Sequence, residues 1–159
     1  MNFPMPATDY RAFHAELANA PAPFRFQRPG QRPLVFHGSN LAMAMSFTPD
    51  LPFWYEINIY RTESQQFALV VKLFYQAEDE KDTVKSWLFD SLPAVFDALE
   101  TYDASQDIRV SFAQPKEAIP AELAAMALDL RTRIASYRSH WASLIGELFA
   151  EMDAAGQLS

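Results

Sequence analysis

Six residues that could line a ligand site alternate along two neighbouring segments of the chain. Glu56 and Lys72 could act as an acid–base pair, with aromatic rings and an amide beside them. Ligand sites combine apolar walls with a few polar groups in this way. Adjacent carboxylate and ammonium groups usually neutralise each other, however, so an internal ion pair on a partly covered face is the favoured interpretation. The candidate ligand or partner groove comprises Trp54, Glu56, Asn58, Tyr60, Lys72 and Phe74.

A second candidate site lies where an imidazole, a hydroxyl and an amide follow one another in the sequence. His37, Ser39 and Asn40 surround Gly38, and this composition predicts a tight turn at which the three side chains could meet. Turn chemistry by itself also accounts for Gly, Ser and Asn at these positions, and it is the favoured explanation.

Other signatures of catalysis or metal binding are missing from the sequence. The three histidines lie on different predicted elements, none at helical metal-site spacing from another, and cysteine is absent. The four glycines are far apart, so they form no phosphate-binding loop. The acidic run 78–82 lacks the ligand spacing of a calcium loop. We therefore expect no catalytic residue, no metal and no cofactor.

Composition indicates a folded protein that does not bind nucleic acid. The chain has 159 residues, half of them hydrophobic, which suits a single domain over residues 1–159. Its net charge is −7, and residues 76–159 hold seven Lys/Arg against fifteen Asp/Glu, a balance that repels phosphate backbones. The lack of cysteine, of a signal-peptide pattern and of a long apolar run predicts a cytoplasmic protein that does not enter a membrane.

Alternating hydrophobic residues predict the sheet that would position the candidate groove. Large apolar residues take odd numbers in four stretches, at 41–47, 53–59, 67–73 and 87–89, which is typical of strands with one buried face. We predict an antiparallel meander with strands at about 41–47, 53–60, 67–75 and 83–89, within a sheet spanning about 34–89. The odd-numbered face would be core. The even-numbered face would carry the groove, together with Ala42, Ala44 and Ser46.

The charges and rings also predict the register of the sheet. If Arg61 pairs with Phe67, Glu56 lies opposite Lys72 and Trp54 opposite Phe74, whereas a one-residue slip would mix the two faces. The same parity places Phe47 near Phe53 and Tyr75 near Thr83.

The remaining segments predict helices around this sheet. We expect an N-terminal helix at about 8–19, a helix at about 91–102 capped by Ser91, a strand at about 107–112 and a long C-terminal helix at about 120–153. Residues 24–33 contain Arg25, Arg28 and Arg32, and are predicted to form an irregular basic connector. The fold class is α+β, an antiparallel β-meander of four to six strands with helices packed on one face and a long C-terminal helix.

The C-terminal helix carries apolar residues spaced four and three apart, as in a coiled-coil seam. At about 50 Å it exceeds the roughly 40 Å diameter of a compact domain of this size. It must therefore bend, with Gly146 as the favoured point, or protrude, or pack on a second copy. The seam begins with Leu123 and Ala127, and the candidate dimer seam is Leu130, Ile134, Tyr137, Trp141, Leu144 and Leu148.

These features favour a non-catalytic protein-binding or assembly module. We expect it to form a homodimer through the C-terminal helix or to bind another protein. The cations Arg131, Arg133 and Arg138 form a solvated face beside the seam in the favoured interpretation. In an antiparallel pair they could instead meet Glu147 and Glu151 of the second helix. The alternative is a small-molecule binding domain, or an enzyme with few sequence signals, that uses the even-numbered face of the sheet.

Overall fold

A five-stranded antiparallel sheet, followed by two helices, forms the computed structural model, which describes residues 20–49, 51–109 and 119–157. The strands follow one another in the sheet in chain order. This is the α+β class that the sequence predicts. The elements are β1 (Ala22–Arg28), β2 (Gln31–Met45), β3 (Phe53–Thr62), β4 (Phe67–Tyr75), β5 (Thr83–Phe89), α1 (Leu92–Thr101), a 3₁₀ helix (Ala104–Asp107) and α2 (Pro120–Ala154).

Two predicted elements fall wholly or partly outside the described residues. The predicted N-terminal helix at 8–19 lies outside them. The second half of the predicted strand at 107–112 also does. Its described half is not a strand, because Asp107 ends the 3₁₀ helix and Ile108 and Arg109 belong to no helix or strand. Neither described α-helix is both long and apolar enough to cross a bilayer.

The predicted register of the central strand pair is confirmed. Glu56 pairs with Lys72 and Trp54 pairs with Phe74 across β3 and β4. On the other side of β4 the prediction is two residues off, because Thr83 pairs with Leu73 rather than with Tyr75. A shift of two leaves each side chain on its expected face, since strand side chains alternate with period two.

The predicted basic connector is wrong, because it forms a β-hairpin. Residues 22–28 form β1, which pairs with β2 around a turn containing Gly30, whose φ is +71°. Phe24 and Phe26 turn inward while Arg25 between them is exposed. Pro23, the one proline within β1, argues against a central strand. An edge strand tolerates proline because one side of its backbone needs no partner.

The predicted turn at Gly38 is also wrong. The burial predicted for residues 42–47 is reversed, whereas Leu41 packs against the core as predicted. β2 runs through Gly38 without a turn, and its ladder pairs Asn40 with Tyr60 but Ala42 with Ile59, so that Leu41 is an extra residue. Such a bulge exchanges the faces of every residue after it. Consequently Ala42 is buried, whereas Met43 is 46% exposed. The three large residues that the bulge turns away from the core are Met43, Met45 and Phe47.

Helix α2 covers the core face of the sheet. Tyr137 stacks on Phe53 with ring centroids 3.8 Å apart, and the indole of Trp141 donates a hydrogen bond to the Leu99 carbonyl at 3.0 Å. Helix α1 begins at the predicted cap, where the Ser91 hydroxyl accepts from the Ala94 N–H. The buried residues of the two helices are Val95, Leu99, Tyr137, Trp141, Leu144, Leu148 and Met152.

The sheet curls until β1 comes close to β5, with Cα atoms of the two strands within 8 Å. This curl encloses a second apolar cluster on the even face, which we define as the face carrying Trp54, Glu56, Asn58 and Tyr60 of β3. Four of the cluster residues are buried, namely Leu34, Tyr60, Ala68 and Val70, and they pack with Phe24, Phe26, Phe36 and Val84. One end of the even face is therefore covered by the protein's own first strand.

Candidate functional site

A chain of polar side chains runs across the middle of the even face. Asn40 donates an amide N–H to Asn58 Oδ1 at 3.0 Å, and Asn58 donates to Glu56 Oε1 at 2.7 Å. The Lys72 ammonium lies 3.4 Å from the same Glu56 oxygen. Both contacts fall on Oε1, so one oxygen of the Glu56 carboxylate is held between an amide and an ammonium group.

Aromatic rings flank this polar chain on its open side. Trp54 stacks on Phe74 with centroids 5.4 Å apart, and Phe47 contacts Trp54 edge-on at 5.2 Å. Met45 pairs with Glu56 across the β2–β3 ladder and is 42% exposed. The even face thus presents a half-exposed apolar patch beside the ion pair, with Phe47 and Met45 in place of the predicted Ser46 and Ala44.

Tyr60 belongs to the second cluster rather than to the groove. Its side chain is buried, and its ring lies 4.5 Å from that of Phe24. Burial is the main cause that raises the pKa of the Tyr60 phenol. A hydrogen bond with the Asn40 side chain opposes this rise, and the Glu56 carboxylate adds to it. Asn58 is equally buried, at 6% exposed, so of the six predicted groove residues the structure keeps four together on the accessible part of the face: Trp54, Glu56, Lys72 and Phe74.

The residues of the predicted turn do not meet. His37 and Asn40 occupy opposite faces of a continuous strand, because their numbers differ in parity and the bulge comes after them. The His37 imidazole lies 2.8 Å from the exposed Glu63 carboxylate, whereas Asn40 points to Asn58. Ser39 pairs with Arg61 across the ladder. Strand continuity therefore removes the second candidate site.

A buried carboxylate on the core side of the sheet was missed by the sequence reasoning. The Asp107 side chain is only 5% exposed. Its Oδ2 accepts from the Tyr55 hydroxyl at 2.7 Å and from the Tyr102 hydroxyl at 2.6 Å, and its Oδ1 accepts from the Lys85 ammonium at 2.8 Å. The four residues come from β3, β5 and the segment after α1, and no local pattern connects them. Only the tertiary structure could reveal the cluster.

This cluster keeps both phenols protonated. Burial is the main cause that raises the pKa of Tyr55 and of Tyr102, and the Asp107 carboxylate reinforces it in both. Each hydroxyl therefore remains a donor to Asp107 at neutral pH. Because all three donors converge on one carboxylate, the cluster ties the 3₁₀ segment to the sheet, which is a structural role.

The predicted dimer seam divides into two halves. Tyr137, Trp141, Leu144 and Leu148 are buried against the protein's own sheet and α1, so they are core residues of the single chain, and their part in a dimer seam stays a prediction. Arg138 is also used within the chain, because its guanidinium makes two hydrogen bonds to Asp103, at 3.0 and 2.9 Å. These bonds hold the pKa of the Asp103 carboxyl well below its usual range.

The first half of α2 is exposed instead. Every residue from 120 to 129 is exposed, and Leu130 and Ile134 are half-buried. Leu123 is 43% exposed, Met126 45% and Leu128 65%. The helix is continuous over 35 residues, about 52 Å. The sequence left open a bent helix, a protruding helix or a helix packed on a second copy. In the structure, the first half of the helix protrudes from the described core.

Comparison with protein-family models, with curated proteins and with solved structures found no match. Among the described residues, no group of three or more histidine, aspartate or glutamate side chains is arranged to hold a metal ion.

Proposed function

We propose that this protein is a non-catalytic protein-binding or assembly module that pairs with a second copy through the first half of α2. The observation that carries the proposal is the exposed apolar stripe of that half-helix. It continues the spacing of the buried seam but has no described core beneath it. We call the stripe Leu123, Ala127, Leu130 and Ile134 the exposed seam. Solvent-exposed stripes of this kind are typical of helix-pairing surfaces.

The exposed seam is complementary to itself in an antiparallel arrangement. When two copies of the helix run in opposite directions, Leu123 of one can face Ile134 of the other while Ala127 faces Leu130. The two outer layers of the interface then pair a leucine with an isoleucine. The two inner layers pair the small Ala127 of one copy with Leu130 of the other. A two-fold axis through this point gives a closed dimer, the commonest form of soluble assembly.

This arrangement replaces the antiparallel pairing suggested by the sequence. A register that brings Arg131 to Glu147 or Glu151 would need Trp141 and Leu144 at the interface, and both are buried in the single chain. The exposed seam pairs without opening that core. The proposed interface therefore lies nearer the N-terminus of α2 than the interface predicted from the sequence. The proposed assembly function is the same.

A pair of double variants tests the proposal by sedimentation velocity over a range of concentrations. Leu123→Lys with Leu130→Lys places two charges on the exposed seam. Ala125→Lys with Thr132→Lys places the same charges on the opposite side of the helix. We expect the parent protein and the opposite-face variant to dimerise at high micromolar concentration. The seam variant should remain a folded monomer, because buried unpaired charges are costly.

The outcome that contradicts the proposal is a parent protein that stays monomeric throughout, or a seam variant that dimerises as the parent does. Circular dichroism of the seam variant serves as the folding control. Trp141→Lys should instead unfold the single chain, because Trp141 is 4% exposed.

The alternative of a small-molecule site or enzyme on the even face has less support. Glu56 and Lys72 lie within ion-pair distance of each other, and Tyr60 is buried in the second cluster. The accessible part of the face offers rings and methionines rather than an uncommitted acid or base.

A further inference from the structure

A groove of about 380 Å³ lies between the tip of the β1–β2 hairpin and β5. It forms where the curl of the sheet brings these two edge strands together. The hairpin contributes Arg28 and Gln31, and β5 contributes Ser86, Trp87 and Phe89. The groove is separate from the exposed seam of α2, and none of its residues takes part in the proposed assembly.

Two polar atoms at this groove are buried without a hydrogen-bond partner. They are Arg28 Nε and Ser86 Oγ, and they are the only such side-chain atoms identified among the described residues. Ser86 is 7% exposed. A buried polar group without a partner loses its hydration and gains nothing in return. Two of them on one groove indicate a place where a polar ligand group completes the bonding.

The charge of Arg28 is also uncompensated within the described part of the chain. No described carboxylate lies within ion-pair distance of it, and its one hydrogen bond there runs from Nη1 to Gln31 Oε1, at 3.3 Å. Residues 20–49 contain three arginines and no acidic residue, although the whole chain carries a net charge of −7. The hairpin is therefore a local basic region on an acidic protein, and it favours an anion.

We propose that this groove binds a small organic carboxylate with an apolar or aromatic body. The planar guanidinium of Arg28 presents parallel N–H groups that match the two oxygens of a carboxylate. The Ser86 hydroxyl donates a further hydrogen bond, and Leu88, which lies on the same face of β5 and is 39% exposed, contacts the apolar part of the ligand. Both unpartnered atoms lie beneath the groove surface, so binding rotates the two side chains toward the ligand.

Calorimetric titration with phenylacetate, and with neutral phenylacetamide for comparison, tests this proposal. We expect phenylacetate to bind and the amide to bind at least tenfold more weakly. Arg28→Gln should weaken phenylacetate binding by tenfold or more. Arg32→Gln, which removes the same charge from an exposed position of the same hairpin, should change it less than twofold. In a parallel NMR titration, the methyl signals of Leu88 should shift.

Ser86→Ala gives a second, independent readout. Removing the unpartnered hydroxyl should raise the melting temperature of the ligand-free protein and also weaken phenylacetate binding. The proposal is overturned if phenylacetate fails to bind at about 10 mM. It is equally overturned if the amide binds as well, or if Arg28→Gln and Arg32→Gln have equal effects, since general charge attraction would then explain the result.

Discussion

Gly38 of β2 lies so close to Arg61 of β3 that a methyl group has no room between them. A Cβ atom added to Gly38 would be 2.2 Å from the Arg61 carbonyl oxygen. Because the neighbouring atoms are backbone, they cannot rotate aside. We expect Gly38→Ala to lower the free energy of unfolding by about 2–3 kcal/mol, as forced overpacking does. Urea denaturation measures the loss.

Gly146 provides the matched control, because a Cβ atom there meets nothing within 4 Å. It lies inside α2, where alanine is favoured over glycine by about 1 kcal/mol. Gly146→Ala should therefore stabilise the protein. If both glycine variants had the same effect, the close approach of β2 to β3 would be refuted.

Among the carboxylates of the described residues, Asp107 should contribute most to the free energy of unfolding. Asp107→Ala removes the acceptor shared by Tyr55, Tyr102 and Lys85 and leaves all three donors without it. We expect the free energy of unfolding to fall by about 2–4 kcal/mol. Asp97→Ala, at an exposed position on α1, should change it by less than about 0.5 kcal/mol. Equal effects at the two positions would show that the cluster contributes nothing to stability.

Alkaline pH should weaken the fold through its buried phenols. The pKa of Tyr55 and of Tyr102 is raised in the folded protein above the ordinary value of 10.0, and that of Tyr137 is raised to about 12. A raised pKa contributes stability that is complete below pH 10 and is lost as the pH rises above 10. The free energy of unfolding should therefore decline steeply above that pH.

Tyr55→Phe should flatten this decline, although the lost hydrogen bond lowers stability at neutral pH by about 1 kcal/mol. Tyr75→Phe should change the slope less, because the Arg109 guanidinium offsets part of the rise in the pKa of Tyr75. Denaturation midpoints between pH 9 and 11 measure both slopes. A Tyr55→Phe profile parallel to that of the parent would count against this explanation.

The Glu56–Lys72 pair should be coupled on the even face. The two side chains are 16% and 28% exposed, which reduces solvent screening relative to a surface pair. A double-mutant cycle with Glu56→Gln and Lys72→Met should give a coupling free energy of about 1 kcal/mol. A coupling free energy near zero would mean that Lys72 does not hold the Glu56 carboxylate in place. Glu56 would then be available to a ligand on the even face.

Period-two alternation and opposite charges determined the centre of the sheet from the sequence alone. The β3–β4 register follows because only one alignment places Glu56 opposite Lys72 and Trp54 opposite Phe74. The capped helix α1 and the length of α2 follow for similar reasons, since capping and heptad spacing are local properties. The same register brought together the four accessible groove residues, Trp54, Glu56, Lys72 and Phe74.

The tertiary structure decided what local patterns leave undetermined. One extra residue at Leu41 reverses the faces of β2, and no pattern in its own strand reveals it, because the bulge is defined by the partner strand. The Asp107 cluster and the Arg28 groove join residues from distant segments. The C-terminal seam shows the same division. Its spacing predicted an apolar stripe along the whole helix, whereas only the position of the sheet determined that the stripe is core from Tyr137 onward and exposed surface before it.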